Sequence, residues 1–353
     1  MQFPSVRWLL AAALLAGNAM AQAADRLYLF NWADYMPPGV IHDFEQQYDV
    51  NVVQSYYNSN AEMLAKLRAG GDRQYDVVFP TDYFVARLVQ ADLLQPLGKK
   101  VTGRDHLFPE FRAPSYDPEG RYSVPYQWGD TGIVYNTETL PNLPHSWDAL
   151  YDPELNAEQP FALLKGDGQF TLGTICAWQG HGFDCHDRKQ WVAAAKAARS
   201  TMNRPNFSGF VNGLAAIDQV ARGVIQVGIA YNGDYVNKRA TGGEAYRKVG
   251  FFVPEEGSQR WVDSMVIPKH APHPELARQF ISYMLRPEVA ARISNFTGYT
   301  TPNRDALPRL EPRLRQPPAL PDEKTRQRLS VTPALSGEDL QFIQQLWTEV
   351  RSR

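Results

Sequence analysis

The sequence predicts an α/β protein with two lobes, each built on a mostly parallel sheet flanked by helices. Its 353 residues exceed what one hydrophobic core usually supports, so a division into two units is expected. Short β-rich runs alternate with amphipathic segments from residue 26 onward. Strands joined through helices form right-handed crossovers into a parallel sheet, and no internal repeat suggests another architecture.

The first 23 residues have the features of a secretory signal peptide. Arg7 gives a positive start, residues 8–16 are apolar, and Ala21-Gln22-Ala23 supplies small residues before the cleavage point. The apolar segment is shorter than the ~20 residues that span a bilayer, and the leader has no cysteine to carry a lipid. We therefore expect a mature protein that is free in the periplasm and does not insert into the membrane.

The N-terminal part of the mature chain contains three predicted strands separated by helices. The strands are residues 27–30, 49–57 and 75–79, which are rich in β-branched and aromatic side chains. Ser59 and Glu62 match a capping box, in which a serine side chain accepts a backbone N–H three residues later. A helix is therefore expected to begin at this point.

The remaining elements continue the same alternation. Further strands are predicted at residues 122–126, 132–135, 224–230 and 261–267, and helices at residues 172–180, 190–198, 274–285 and 338–350. The proline-rich residues 308–321 are expected to form an ordered surface connection between the lobes.

Charge and motif content exclude several classes of function. With 36 basic and 38 acidic residues, the formal net charge is −2. Nucleic acids and anionic lipids are usually bound through a basic patch, so this balance argues against both and is compatible with a cationic ligand. The sequence has no Gly-x-Ser-x-Gly elbow, phosphate-binding loop or His-Glu-x-x-His helix. We expect neither an enzyme nor a bound cofactor.

Cys176 and Cys185 are the only cysteines. In an oxidising compartment such a pair favours a disulfide, which would contribute about 2–3 kcal/mol in the chain-entropy model. His181 and His186 lie beside them and raise the alternative of a zinc site. Because the spacing does not match the common paired-ligand patterns, the disulfide is the preferred interpretation.

Acidic and aromatic side chains collect at the ends of the predicted strands. In open parallel sheets, ligands bind beyond the carboxyl ends of the strands. Four segments combine an acid with an aromatic neighbour: Trp32, Asp34 and Tyr35; Thr81, Asp82 and Tyr83; Tyr231 and Asp234; and Trp261 and Asp263. Trp261 and Asp263 are two residues apart in a strand, so they share one face.

Each of these segments alone is explained by ordinary structure, as interface aromatics, helix caps or turn residues. Their combination favours a site for an ammonium group. A buried cation needs a carboxylate, and it also gains up to ~2 kcal/mol against the face of a desolvated aromatic ring.

Four motifs occur in order along the chain: Tyr-x-Phe-Asn-Trp-x-Asp-Tyr at residues 28–35, Tyr-Asp-Val-Val-Phe-Pro-Thr at 75–81, Trp-Val-Asp-Ser at 261–264 and Gly-Tyr-Thr-Thr-Pro-Asn at 298–303. In these motifs the mature chain resembles the polyamine-binding receptors of bacterial ABC importers, a branch of the periplasmic binding proteins. The resemblance implies a type II fold with a hinge that closes two lobes on the ligand. It also implies delivery to an inner-membrane ABC permease, and we expect a monomer. The lobes are expected to comprise residues 24–132 with 263–302, and residues 133–262 with 303–353.

The resemblance further implies roles for individual side chains. Aromatic walls around the methylenes of the ligand are expected from Trp32, Tyr83, Trp261 and Tyr299. Carboxylates are expected at both ends, with Asp34 and Asp263 at one and Asp167 and Asp234 toward the other. Thr81 replaces a serine of the family, and Tyr231 stands where the family usually has tryptophan.

Phe170 departs from the family pattern. At this position the family commonly has a glutamate that binds the distal amine, and a shift by one residue offers only the uncharged Gln169. Removing one partner of a buried charge pair typically costs about 3–5 kcal/mol. Two ligand classes therefore stay open: a diamine or polyamine such as putrescine or spermidine, and an amine with one non-cationic end such as an ω-amino acid.

Two further classes are considered on the sequence alone. A receptor for ferric iron or an anion on the same fold would use the tyrosines, although these occur beside tryptophans and acids and without a basic cluster. An enzyme on this fold would need Cys176 or Cys185 as its nucleophile, and neither lies at a predicted strand end.

Overall fold

The protein was analysed as a computed structural model, which describes residues 25–166 and 168–352. The predicted signal peptide and Asp167 therefore lie outside the described residues. The strands of the described chain are β1 (Asp25–Trp32), β2 (Val50–Tyr57), β3 (Val77–Val78), β4 (Ser123–Asn136), β5 (Phe161–Leu164), β6 (Phe207–Val211), β7 (Val227–Tyr231), β8 (Val249–Phe252), β9 (Ser258–Val266) and β10 (Leu329–Val331).

The helices lie mostly between these strands, as the alternating pattern predicts. They are α1 (Pro38–Tyr48), α2 (Asn60–Arg68), α3 (Asp82–Gln90), α4 (Pro109–Arg112), α5 (Asp148–Tyr151), α6 (Gln169–Trp178), α7 (Arg188–Met202), α8 (Gly213–Ala221), α9 (Asn232–Thr241), α10 (Pro274–Met284), α11 (Pro287–Thr297), α12 (Glu323–Gln327) and α13 (Gly337–Arg351). None of the helices in the described chain is both long and apolar enough to cross a membrane.

The strands form one continuous sheet whose two halves have the same plan. In the first half the order is β2-β1-β3-β9-β4, with β1 parallel to β2 and β3. Strand β9 is antiparallel to β3 and β4, and β10 pairs with it in parallel. In the second half β5 is parallel to β6 and β7, and β4 is antiparallel to β7 and β8. We call these halves, with their helices, the first and second lobes; the predicted α/β fold of two mostly parallel sheets is confirmed.

Strand β4 belongs to both lobes. Residues 123–130 pair with β9, and residues 131–136 pair with β7 and β8. The prediction of two separate strands here was wrong. The polar residues in the middle resembled a connection, but the structure buries Gln127, Asp130 and Thr131 as strand residues between the lobes.

Both faces of each half-sheet are covered. Leu29 and Phe30 are neighbours on β1 and enter different hydrophobic clusters, as Ile133 and Val134 do on β4. Successive strand residues point to opposite faces, so each half-sheet has a core on both sides. Polar side chains are nevertheless buried within the two central strands, at Gln127, Asp130 and Thr131 of β4 and at Asp263 of β9.

In the first lobe the predicted capping box is confirmed, and the third predicted strand is present but shorter. The Ser59 hydroxyl accepts the N–H of Glu62 at 3.1 Å and caps α2, while the Glu62 carboxylate accepts the N–H of Asn58 at 2.9 Å. Strand β3 is shorter than predicted, since the chain leaves the ladder after Val78. It then forms an isolated bridge between Thr81 and Asp263.

The proline-rich segment is ordered, and it also packs inward. Leu310, Leu314 and Ala319 are buried in a cluster with Val236 of α9 and Ala290 of α11. The segment therefore connects a helix of the second lobe with a helix of the first.

Cys176 and Cys185 form a disulfide with a Cα–Cα distance of 5.4 Å, which confirms the prediction. Both residues are buried. Because each sulfur is bonded to the other, the zinc site and the cysteine nucleophile considered from the sequence are both excluded.

We expect reduction of this disulfide to lower the free energy of unfolding by about 2–3 kcal/mol, because opening the loop gives the unfolded chain more conformational freedom. Urea unfolding with and without a reductant measures the change. A double variant, Cys176→Ala with Cys185→Ala, is the control and should be insensitive to reductant. Equal midpoints for the oxidised and reduced wild-type protein would contradict the prediction.

Candidate functional site

Asp263 lies in β9 and forms the centre of the candidate site. The residue is 6% exposed. Its Oδ2 accepts a hydrogen bond from the Tyr35 hydroxyl at 2.9 Å, whereas its Oδ1 is buried with no hydrogen-bond partner among the described residues. A buried carboxylate oxygen without a donor is costly, so this atom is available to a donor that comes from outside the chain.

The electrostatic state of Asp263 follows from its surroundings. Burial raises the pKa of this carboxyl to about 7, and the nearby hydroxyls of Thr81 and Tyr35 oppose the rise. Burial, followed by the charge of Asp263, also raises the pKa of Tyr35 well above its ordinary value, so Tyr35 stays a neutral donor. A cation bound at Oδ1 would stabilise the charged carboxylate.

Asn60 positions Thr81, whose hydroxyl opposes the rise in the pKa of Asp263. Its Oδ1 accepts the N–H of Thr81 at 3.1 Å, and its Nδ2 donates to the Thr81 hydroxyl oxygen at 2.9 Å. Asn60 thus holds Thr81 in a fixed position, from which the Thr81 hydroxyl lowers the pKa of Asp263 against the effect of burial. The only sequence signal for Asn60 is indirect: it is the first residue of the helix that the capping box predicts.

Tyr35 is fixed by a second tyrosine that sequence reasoning missed. The Tyr126 hydroxyl donates to the carbonyl oxygen of Tyr35 at 2.7 Å, and the two ring centroids are 5.4 Å apart. Tyr126 comes from the first half of β4. The strand shared by the two lobes therefore holds the residue that donates to Asp263.

Aromatic rings from both lobes enclose the region next to Asp263. The Trp261 centroid is 4.9 Å from that of Tyr299 and 5.8 Å from that of Tyr231, in both cases edge to face. Tyr35 lies 5.9 Å from Tyr299. The structure thus brings together four aromatic residues, Tyr35, Tyr231, Trp261 and Tyr299, from four distant segments of the sequence.

Two glycines make this ring packing possible. A Cβ at Gly233 would lie 2.1 Å from the Tyr299 ring, and one at Gly129 would lie 2.6 Å from the Trp261 ring. Side chains at these positions would push the rings apart, since real Cβ atoms do not approach so closely. Neither glycine was identified as a site residue from the sequence.

Asp234 provides a second carboxylate beside these rings. It lies half-buried in the first turn of α9, where burial raises its pKa to about 6 and the Tyr299 hydroxyl opposes the rise. Tyr299 is therefore next to Asp234, and its ring contacts Trp261. Asp234 and Asp263, which both have raised pKa values, lie on opposite lobes at the same aromatic cluster.

Trp32 and Tyr83, the other two aromatic walls that the resemblance implies, both belong to elements of the first lobe, β1 and α3. The Trp32 indole N–H donates to the Phe79 carbonyl at 3.0 Å, and its ring lies 4.5 Å from that of Tyr57. Trp32 and Tyr83 are both half-buried, as is typical of residues that line a cleft.

Asp82 has a structural role in the described contacts. Its two carboxylate oxygens accept backbone N–H groups, from Tyr83 at 2.7 Å and from Val262 at 3.1 Å. Burial raises its pKa to about 8. Asp82 thus joins the start of α3 to β9 between Trp261 and Asp263, and it fixes the position of both.

Three other predicted site residues have different surroundings. Asp34 is exposed in the turn after β1, with a left-handed φ of 55°. Phe170 is 8% exposed and belongs to the hydrophobic core of the second lobe, where its ring lies 5.8 Å from that of Phe183. Asp167 lies outside the described residues. In the described part of the chain, no group of three or more His, Cys, Asp or Glu side chains is placed to hold a metal ion.

The arrangement can bind a cation in a largely dry enclosure. An ammonium group offers the donor that Asp263 Oδ1 lacks, and the ring faces attract positive charge. The methylenes of an aliphatic amine would pack against the same rings.

The sequence is similar to known solute receptors along nearly its whole length. A putrescine/cadaverine-binding protein of Pseudomonas aeruginosa is 34% identical over 353 residues, which cover 98% of this chain and 99% of the relative. The spermidine/putrescine-binding periplasmic protein of Escherichia coli is 33% identical over 325 residues, with 90% of each chain covered.

The fold is similar to solved structures of the same kind. A putative spermidine/putrescine ABC transporter protein from Listeria monocytogenes has a TM-score of 0.83 and 29% identity, covering 93% of this chain and 99% of its own. The profile of the bacterial extracellular solute-binding proteins matches residues 39–322. With the two-lobed fold and these matches, the chain belongs to the family of bacterial extracellular solute-binding proteins.

Proposed function

We propose that this protein is a periplasmic receptor that captures a diamine or polyamine between its lobes and delivers it to an ABC importer. The observation that carries the proposal is the buried Asp263 carboxylate, with one oxygen held by Tyr35 and the other without a donor. A protonated amine would donate a hydrogen bond to the second oxygen and pair with the negative charge, because a buried charge must be paired.

The second carboxylate supports a ligand with more than one amino group. Asp234 lies next to Tyr299, and Tyr299 packs against Trp261, so the aromatic cluster has an acid on each lobe. A diamine in this cluster would place one ammonium group near each acid. The relatives named for putrescine, cadaverine and spermidine make the same class of ligand the first to test.

Closure of the lobes is part of the proposed function. The proposed boundaries, residues 24–132 with 263–302 and residues 133–262 with 303–353, divide both β4 and β9, so these two strands connect the lobes at the hinge. Bending of these connections would open the cleft, and closure would remove the ligand from water and present the closed form to the permease. In this proposal the receptor acts as a monomer.

A second candidate ligand is an amine with one non-cationic end, such as an ω-amino acid. The observation that favours it is the surroundings of Phe170, which lies in the hydrophobic core of the second lobe beside the neutral amide of Gln169. Neither side chain offers a negative charge to a second ammonium group. Asp34 and Asp167 remain proposed as additional carboxylates of the site.

Isothermal titration calorimetry with putrescine, cadaverine, spermidine, 4-aminobutyrate and 5-aminopentanoate tests the proposed function. We expect the diamines to bind more tightly than the amino acids, because the site has an acid on each lobe. Tight binding of the amino acids alone would establish the second candidate. Absence of binding across the panel would overturn both candidates.

Replacement of Asp263 tests the central contact. We expect Asp263→Asn to weaken diamine binding by at least about tenfold, because the ammonium group loses its ionised partner in a dry site. The matched control is Asp43→Asn, which removes the same charge from an exposed position on the same lobe and should leave the affinity unchanged. An unchanged affinity in Asp263→Asn would remove this residue from the site.

The affinity for a diamine is expected to fall as the pH falls through the pKa values of the site. Burial raises the pKa of Asp263 to about 7 and that of Asp234 to about 6, and a bound ammonium group favours the charged carboxylates. Protons therefore compete with the ligand below about pH 7. Between about pH 8 and about pH 5.5 we expect a loss of at least about tenfold.

Calorimetry at several pH values measures this dependence. The variant Asp263→Asn should show a flatter profile than the wild-type protein, because it lacks the group with the higher of the two pKa values. A wild-type affinity that stays constant over this range would contradict the assigned ionisation of the site.

A further inference from the structure

A direct hydrogen bond joins the two lobes outside the aromatic cluster. Nη2 of Arg87, on α3 of the first lobe, donates to Oε1 of Gln169 at 2.8 Å. Gln169 is the first residue of α6 in the second lobe. Both side chains are almost fully buried, with 7% of Arg87 and 2% of Gln169 exposed.

The second lobe holds Gln169 in place from two sides. Its Nε2 donates to the carbonyl oxygen of Pro333 at 2.8 Å, in the segment that follows β10. The preceding Gly168 has a φ of 85°, and a Cβ there would lie 2.1 Å from the Trp347 ring of α13. The start of α6 is thus packed against α13. This packing restricts the Gln169 side chain, whose Oε1 points toward the first lobe.

Arg87 is held equally well in the first lobe. Its guanidinium carbon lies 4.5 Å from the centroid of the Phe84 ring and 5.1 Å from that of Tyr83. Tyr83 is one helical turn closer to the start of α3 and is one of the aromatic residues proposed to line the cleft. The cation that hydrogen-bonds to the second lobe therefore also packs on a ring that is proposed to line the cleft.

We propose that Arg87 and Gln169 form a clasp that stabilises the closed arrangement of the lobes and slows release of the ligand. The bond spans the two lobes, so it forms when they close and breaks when they open. Its donor is charged and both partners are buried, which makes it stronger than a hydrogen bond at the surface. The inference rests on the proposed function, since it concerns the lifetime of the liganded state.

The clasp gives Arg87 and Gln169 a positioning role that is separate from recognition of the amine. Asp263 and the rings determine which ligand enters, whereas the clasp determines how long the lobes stay together on it. Interactions formed in the closed complex act mainly on dissociation rates, and association rates vary less among variants of one interface.

A double-mutant cycle with Arg87→Met and Gln169→Ala tests this role. Methionine keeps an unbranched apolar chain over the rings and removes the guanidinium, which limits the loss of packing. Stopped-flow fluorescence gives the association and dissociation rates of putrescine. We expect each single variant to release putrescine about tenfold faster, the change expected from loss of one hydrogen bond to a charged group.

The acceleration in the double variant should be smaller than the product of the two single effects, because both substitutions remove the same bond. Arg68→Ala is the matched control: this arginine is exposed in the groove that Arg87 and Gln169 also line, and its loss should not change the rates. Rates that are unchanged in both single variants, or effects that add in the double variant, would overturn the clasp.

The outcomes separate this inference from the proposed function. If the wild-type protein binds putrescine and the effects of the two substitutions on the dissociation rate are additive, the clasp alone is refuted. A wild-type protein that binds no amine refutes the proposed function. In that case urea unfolding of the same four proteins still tests the clasp, because coupled side chains give non-additive changes in the free energy of unfolding, and additive changes would reject it.

Discussion

The buried carboxylate of Asp263 is the constraint on which the rest of the site depends. A carboxylate enclosed by protein is costly unless donors or a cation stabilise it. The chain supplies one donor through Tyr35 and a second hydroxyl through Thr81, and it leaves one oxygen without a partner. The need to stabilise this carboxylate explains the neighbouring hydrogen bonds. Asn60 positions Thr81, and Tyr126 positions Tyr35.

The way in which the chain passes between the lobes places this carboxylate where a ligand can reach it. Asp263 lies on β9, which runs beside the shared strand β4, so it is near both lobes. Tyr231 and Asp234 come to the same place from the end of β7 and the start of α9. In the proposed function, a cation bound at this carboxylate would contact both lobes, so its recognition would favour closure.

The fold class and the main site residues could be predicted from the sequence. The contacts that hold those site residues in place could not. Alternating strands and helices predict strand ends as the ligand edge, and Tyr35 and Tyr231 do lie at or just after the ends of β1 and β7. Trp261 and Asp263 were expected at a strand end as well, but they lie inside β9. Patterns of this kind are local, however. The contacts made by Tyr126 and Arg87 join residues far apart in the chain, and nothing in their own segments distinguishes them from ordinary core or surface residues.

The sequence by itself determined the class of fold, the pairing of the two cysteines and the acidic and aromatic character of the site, because these depend on composition, periodicity and motif order. Only the tertiary structure decided what each acid does. Asp82 is satisfied by two backbone N–H groups, Asp34 is exposed in a turn, and Asp263 keeps a buried oxygen without a donor. The physical reason is that the cost of a carboxylate is set by its burial and its partners in space. Neighbours along the chain do not report either of these quantities.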